Sequence, residues 1–198
     1  MAYVQELVCD YCGFHYKNEG YSYFWLDLQS AKLRTSLQTI ISTMRYDEET
    51  LLRGYVGEKY CSHCRNYVYE YHLKDCGENY NIERASDLLR IILKGYEVNI
   101  HGLRDFLYGG EASLNSFFKP KQSLGEGKKA IVSIHLDNYG IGLDSERIDL
   151  GSCIDLEGNR IDLGSCPNCG EETYYLLKDS PCPRCSSSLR KHRSKFLD

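Results

Sequence analysis

A chain of 198 residues holds one domain or two to three small ones. Its hydrophobic fraction of 42% is ordinary for a folded protein, and a net charge of −4 argues against a molecule that binds polyanions over its whole surface. No apolar run approaches the ~18 residues of a membrane-spanning helix. The opening MAYVQELVCDY also lacks the basic-then-apolar pattern of a secretory leader.

Ten cysteines would suit a disulfide framework, but eight of them fall in four Cys-x-x-Cys pairs. That pattern is read as metal-bound thiolates in a reducing cytoplasm, with no membrane partner. The charge is uneven. Residues 137–172 carry nine acids against Arg147 and Arg160, whereas residues 173–198 carry six bases against Asp179 and Asp198.

The chain begins with a short strand and the knuckle Cys9-Asp-Tyr-Cys12-Gly13. Residues 21–28 (YSYFWLDL) follow as an aromatic strand, with Trp25 assigned to the core. Over residues 31–45, Leu33, Leu37, Ile40, Ile41 and Met44 recur at helical spacing. Asp47 then caps a short turn that runs to Leu52 and stops at Gly54. A second aromatic strand leads to the knuckle Cys61-Ser-His-Cys64. After it, Tyr67, Tyr69, Tyr71 and Leu73 alternate as in a half-buried strand.

Twelve of the seventeen tyrosines lie in residues 1–80. They serve either as an aromatic core or as a surface for a protein partner, since tyrosine is enriched at interfaces.

Residues 82–94 place Ile82, Ala85, Leu88, Leu89, Ile92 and Leu93 on one helical face, and Gly95 is the stop. Asn99 can cap a second helix, IHGLRDFL, and a third, EASLNSFF, ends before Pro120. Three short helices with a glycine turn between the last two have the layout of a helix-turn-helix. Residues 119–129 read as a linker. The heptapeptide RIDLGSC at 147–153 recurs at 160–166 and predicts short strands joined by glycine turns. The first copy leaves Cys153 as a spare thiol or substitute ligand.

The last two knuckles, Cys166-Pro-Asn-Cys169 and Cys182-Pro-Arg-Cys185, are twelve residues apart. Four knuckles pair in three ways. Loop entropy favours the local solution, Cys166, Cys169, Cys182 and Cys185 on one zinc and Cys9, Cys12, Cys61 and Cys64 on the other, with swapped pairing as the alternative.

The zinc module followed by helices, with Gly110-Glu111-Ala112-Ser113-Leu114-Asn115 and then aromatic Phe117, resembles the MqsA-like zinc-finger antitoxins and their transcription-factor relatives over residues 1–120. The resemblance implies a Cro/C1-type helix-turn-helix and binding to double-stranded DNA. On the residues themselves, Ser113, Asn115, Ser116 and Lys119 are the polar outward groups of the expected recognition helix. Lys121, with the tail residues Arg190, Lys191, Arg193 and Lys195, supplies cations for phosphates.

No catalytic motif stands out, so no catalytic residue is assigned. The expected fold is α+β: two four-cysteine zinc ribbons flank a helix-turn-helix-like module and a short β segment. The expected divisions are 1–80, 81–120, 121–165 and 166–198. The leading expectation is a non-enzymatic, DNA-binding regulator or antitoxin-like protein with two zinc ions. The alternatives are a zinc-ribbon adaptor within a larger complex and a rubredoxin-like iron carrier.

Overall fold

The computed structural model describes residues 2–18, 20–27, 30–37, 52–73, 80–119, 131–136 and 152–197. Their strands, in chain order, are β1 (Ala2–Val8), β2 (His15–Asn18), β3 (Ser22–Asp27), β4 (Lys32–Leu37), β5 (Arg53–Cys61), β6 (Asn66–Leu73), β7 (Glu97–Val98), β8 (Phe118–Lys119), β9 (Ile131–Leu136), β10 (Ser152–Asp155), β11 (Arg160–Ile161) and β12 (Arg190–Leu197). Seven of them form one sheet in the order β11-β10-β9-β6-β5-β3-β4, and β12-β1-β2 form a second. β6 and β9 run parallel, and the other neighbours in the large sheet are antiparallel. Among the described residues no helix is long and apolar enough to cross a membrane.

This architecture corrects the expected fold class. Among the described residues the protein is mostly β, and no helix-turn-helix module stands between two ribbons. The first helix is as expected. Ile82–Leu93 is capped by Asn81, whose side-chain oxygen accepts from the Arg84 amide at 3.0 Å. The second shrinks to Leu103–Leu107, and Asn99 receives the His101 amide just ahead of it. The third is a single 3-10 turn, Leu114–Ser116.

The third helix fails for a local reason. Ser and Asn compete with the helix for backbone partners. Here the Ser116 hydroxyl donates to the Ser113 carbonyl at 2.5 Å. Phe117 is buried in the core, and the next two residues pair as β8 with β7.

The described part of the 31–45 stretch is also not helical. Lys32–Leu37 is β4, in register with β3 from Asp27↔Lys32 to Ser22↔Leu37. Leu33 and Leu37 are four residues apart, a spacing that period 2 satisfies as well as period 3.6. Residues 38–51, with Ile40, Ile41, Met44 and Asp47, lie outside the described residues, as do Cys76, Lys121 and most of the 119–129 linker. Trp25 is half-buried, while its neighbours Phe24 and Leu26 take the core positions.

The two faces of the large sheet carry different chemistry. On one face Phe24, Leu26, Tyr71, Leu73, Val132, Ile134 and Leu136 pack with Ala85, Leu88 and Leu89 of the first helix and with Leu103, Phe106 and Leu107 of the second. The hairpin β10–β11 is tied to that layer, because Arg90 Nε donates to the Leu156 carbonyl at 2.9 Å. On the other face, strand alternation brings Val68, Glu70 and His72 of β6 beside Ile131, Ser133 and His135 of β9 and Cys153 of β10.

Gly54 sits between Phe24 and Leu73 in the middle of this sheet rather than at a helix end. A Cβ there would stand 2.0 Å from the His72 carbonyl oxygen and 2.8 Å from the Phe24 ring. Backbone blocks one side, so Gly54→Ala must displace strands. We expect it to cost on the order of 3 kcal/mol, measured by chemical denaturation.

Candidate metal centres

The four Cys-x-x-Cys segments fold into one kind of turn. In three of them the first cysteine's amide donates five residues ahead: Cys9 to Phe14, Cys166 to Glu171 and Cys182 to Ser187, at 2.8, 2.7 and 2.7 Å. In the same three, the amide after the second cysteine returns to the first cysteine's carbonyl, from Gly13, Gly170 and Ser186. The residue after the second cysteine is left-handed in all four, with φ of 67° at Gly13, 50° at Arg65, 77° at Gly170 and 61° at Ser186. Gly13 and Gly170 adopt this freely, whereas Arg65 and Ser186 do so under strain.

The knuckles pair across the chain. Cys9, Cys12, Cys182 and Cys185 form one four-thiol group, and Cys61, Cys64, Cys166 and Cys169 form the other. Sγ–Sγ separations are 3.4 Å for Cys9–Cys185, 3.6 Å for Cys12–Cys182, 3.5 Å for Cys61–Cys169 and 3.8 Å for Cys64–Cys166. A tetrahedral ion with ~2.3 Å metal–sulfur bonds has sulfur–sulfur edges of about 3.8 Å. None of these cysteines is in a disulfide, and both groups can hold a metal ion.

The expected local pairing is therefore corrected to the swapped one. Spanning 102 residues between Cys64 and Cys166, rather than 13 between Cys169 and Cys182, costs only about 2 kcal/mol more in loop closure. Sheet formation already covers that cost. The β5–β6 hairpin presents Cys61 and Cys64, and the β1–β2 hairpin presents Cys9 and Cys12. β12, which begins five residues after Cys185, pairs along the whole of β1 and draws the last knuckle to the first.

Local groups tune the thiols. Burial pushes Cys166 up to about 12, which opposes collecting bare thiolates around it. The Asn168 side-chain amide donates to Cys64 Sγ at 3.2 Å and holds that thiol below its ordinary value. Hydrogen bonds from the Ser187 side chain and backbone bring Cys185 down to about 6. Backbone amides of Cys64 and Arg184 point at Cys61 and Cys182 Sγ, both at 3.4 Å. Donors of this kind around a metal site orient its ligands and stabilise sulfur bound to an ion.

Tyr60 ties the two centres together. It precedes Cys61, exchanges both backbone hydrogen bonds with Tyr174, and its hydroxyl donates to the Pro183 carbonyl at 3.4 Å inside the other centre's knuckle. With Leu7, Phe14, Leu176 and Leu189 it forms the apolar wall around Cys9 and Cys182.

The other expected site residues that are described lie on separate elements. Ser113, Asn115 and Ser116 are exposed around the 3-10 turn, and Lys119 lies in β8 opposite Glu97. Arg190, Lys191 and Arg193 are in β12, where Arg190 forms an ion pair with Asp10. Cys153 joins neither thiol group. It is buried in β10 opposite His135, and burial pushes its thiol up to about 11. His63 and His15 are exposed and outside both centres.

His72 lies in β6, beyond the second knuckle. The fold groups it with Glu70 and His135. One signal was available: in NYVYEYHL, alternation puts Glu70 and His72 on the same face of β6. Their meeting with His135 depends on the β6–β9 pairing, which no local pattern specifies. The chain matches no protein-family model, no curated protein and no solved structure.

Cross-chain pairing has a distinct chemical signature. In metal-loaded protein carrying Cys182→Ser and Cys185→Ser, Cys9 and Cys12 should become open to alkylation while Cys61 and Cys64 stay protected, as read by peptide mass mapping. Local pairing predicts protection of all four. Separately, Arg65→Gly removes left-handed strain and should stabilise the protein by about 0.5–1 kcal/mol in a denaturant titration.

Proposed function

We propose that this is a non-enzymatic, zinc-stabilised protein-interaction module. Zinc is assigned because groups of four cysteine sulfurs suit that ion and because closed sites of this kind serve folding rather than chemistry. Unpaired thiols at both centres agree with a reducing compartment such as the cytoplasm.

The observation that carries the interaction reading is a cleft of 420 Å³. It is lined by Tyr16, Tyr21, Tyr69, Tyr175, Val56 and Leu177, with the charged Lys17 and Glu58 also on its wall. Tyr69 and Leu177 are exposed there. Aromatic side chains with a polar tip dominate the energetics of protein interfaces. Burial raises the hydroxyls of Tyr69 and Tyr16 above their ordinary value. The Tyr16 hydroxyl is already committed to Glu58 at 2.8 Å, which fixes one wall of the cleft.

The DNA-binding and antitoxin-like reading has less support. Its recognition element is a single 3-10 turn, and that turn carries no cation. The C-terminal cations lie on a strand already paired along β1.

Three measurements test the proposal. Purified protein should hold two thiolate-bound zinc ions and be colourless; the visible absorption of an iron–thiolate centre would refute the zinc assignment. Tyr69→Asp with Leu177→Asp should abolish stoichiometric capture of a protein partner and leave metal content and circular dichroism unchanged. Binding to duplex DNA at low salt that weakens steeply as salt rises would instead favour the DNA reading.

A further inference from the structure

We infer that Glu70, His72 and His135 form a third metal site, which takes one divalent first-row transition-metal ion through two imidazole nitrogens and a carboxylate. It is chemically unlike the thiolate centres and separate from them in ligands. Glu70 and His72 are two apart on β6, and the parallel register sets His135 of β9 directly beside His72. The three ligand atoms lie within 4.8 Å of one another. Glu70 Oε1 is 2.6 Å from His135 Nε2, and Oε2 is 3.5 Å from His72 Nε2.

The orientation of the histidines is the second observation. The side chain of His135 is 5% exposed, and the Nε2 atoms of both histidines are buried, within ion-pair distance of Glu70 but without hydrogen-bond geometry. Buried polar atoms left in that condition are costly. The rings stack with centroids 4.2 Å apart and 19° between planes, so both nitrogens face the same carboxylate from one side. Two charged imidazoliums would repel at that distance, whereas two neutral rings offering lone pairs to one shared ion would not.

The carboxylate is held as a ligand would be. The Tyr175 hydroxyl donates to Oε2 at 2.7 Å, and Lys59 Nζ to Oε1 at 2.9 Å. Burial opposes ionisation of Glu70, but contacts from His135, His72, Tyr175 and Lys59 outweigh it and hold the carboxyl well below the usual range. An ionised carboxylate has about four lone-pair positions, so two donors leave room for an ion. Gly57, opposite Glu70 on β5, gives the tyrosines space to close over the cluster. A Cβ there would come within 2.8 Å of the Tyr21 ring and 3.5 Å of the Tyr175 ring. Three protein ligands leave a coordination position open. Tyr21 and Tyr175, whose hydroxyls are hydrogen-bonded to each other, stand between the cluster and the cleft.

Lys59 opposes a cation here. Its ammonium makes this site weaker than the thiolate centres, and it gives the proposal a sharp test. If the cluster is only a hydrogen-bonded network, removing Lys59 merely weakens it. If the cluster holds metal, removing Lys59 strengthens metal binding.

The experiment uses the full chain with both thiolate centres zinc-loaded, titrated with Co²⁺. Metal per chain is read by elemental analysis, and ligand type by absorption. A third equivalent should bind with weak d–d bands and no sulfur-to-cobalt charge-transfer band. Lys59→Met should tighten it about tenfold, Tyr175→Phe should weaken it about 10–100-fold, and Glu70→Gln or His72→Gln should abolish it, with two zinc ions retained throughout. The proposal is overturned if the wild-type count stays at two in millimolar Co²⁺. It is equally overturned if the third ion shows sulfur bands, if it survives both ligand substitutions, or if Lys59→Met weakens it. The wild-type count requires no variant to fold. A zinc count below two would refute the thiolate assignment and leave the Co²⁺ result to be read from its own bands.

Discussion

Each thiolate centre joins a knuckle from the first third of the chain to one from the last fifth, and much of the architecture follows from that constraint. Cys9 and Cys12 cannot meet Cys182 and Cys185 unless β12 returns along β1. Cys61 and Cys64 cannot meet Cys166 and Cys169 unless the segment after β11 crosses the end of the β5–β6 hairpin. The backbone exchange between Tyr60 and Tyr174 is where that crossing is fixed. A structural zinc contributes on the order of 10 kcal/mol in small peptides, several times the extra loop-closure cost. With an ion at each centre, metal binding and closure of the whole chain would be one process, which separate local ribbons would not require.

The large sheet divides its work between its faces. One face is a conventional apolar layer under the helices Ile82–Leu93 and Leu103–Leu107. The other begins at the Cys61 centre, with Val68 and Ile131 against the sulfurs, and continues along the same strands into Glu70, His72 and His135. The polar cluster therefore rests on a scaffold whose near end packs against the Cys61 group. Tyr175 connects it outward. It lies on the segment between the third and fourth knuckles, donates to Glu70, and forms part of the wall of the tyrosine-lined cleft. Closing the metal centres and positioning Tyr175 depend on the same segment.

The duplicated heptapeptide shows how far local sequence can be read. RIDLGSC occurs twice with no difference in sequence. In the first copy Ser152 and Cys153 belong to β10, and Cys153 is buried opposite His135. In the second copy Arg160–Ile161 is a short strand, and Cys166 is the first cysteine of a knuckle. Identical residues thus take different roles because their neighbours differ. Only the second copy is followed by Pro167, Cys169 and Gly170. The stretch at 31–45 carries the same lesson, since the spacing of Leu33 and Leu37 suits both a strand and a helix, and pairing with β3 decides between them.

By itself the sequence determined the four Cys-x-x-Cys pairs as candidate ligands, the helix Ile82–Leu93 and the aromatic strands. All of these are short-range properties, set by residues within about five positions of one another. The tertiary structure alone decided which knuckles share a centre, that residues 110–118 form no recognition helix, and that Glu70, His72 and His135 converge. Those outcomes rest on strand pairings between residues tens to more than a hundred positions apart. Local periodicity carries no information about such partners, because a strand's alternation specifies which face is buried and never which strand lies beside it.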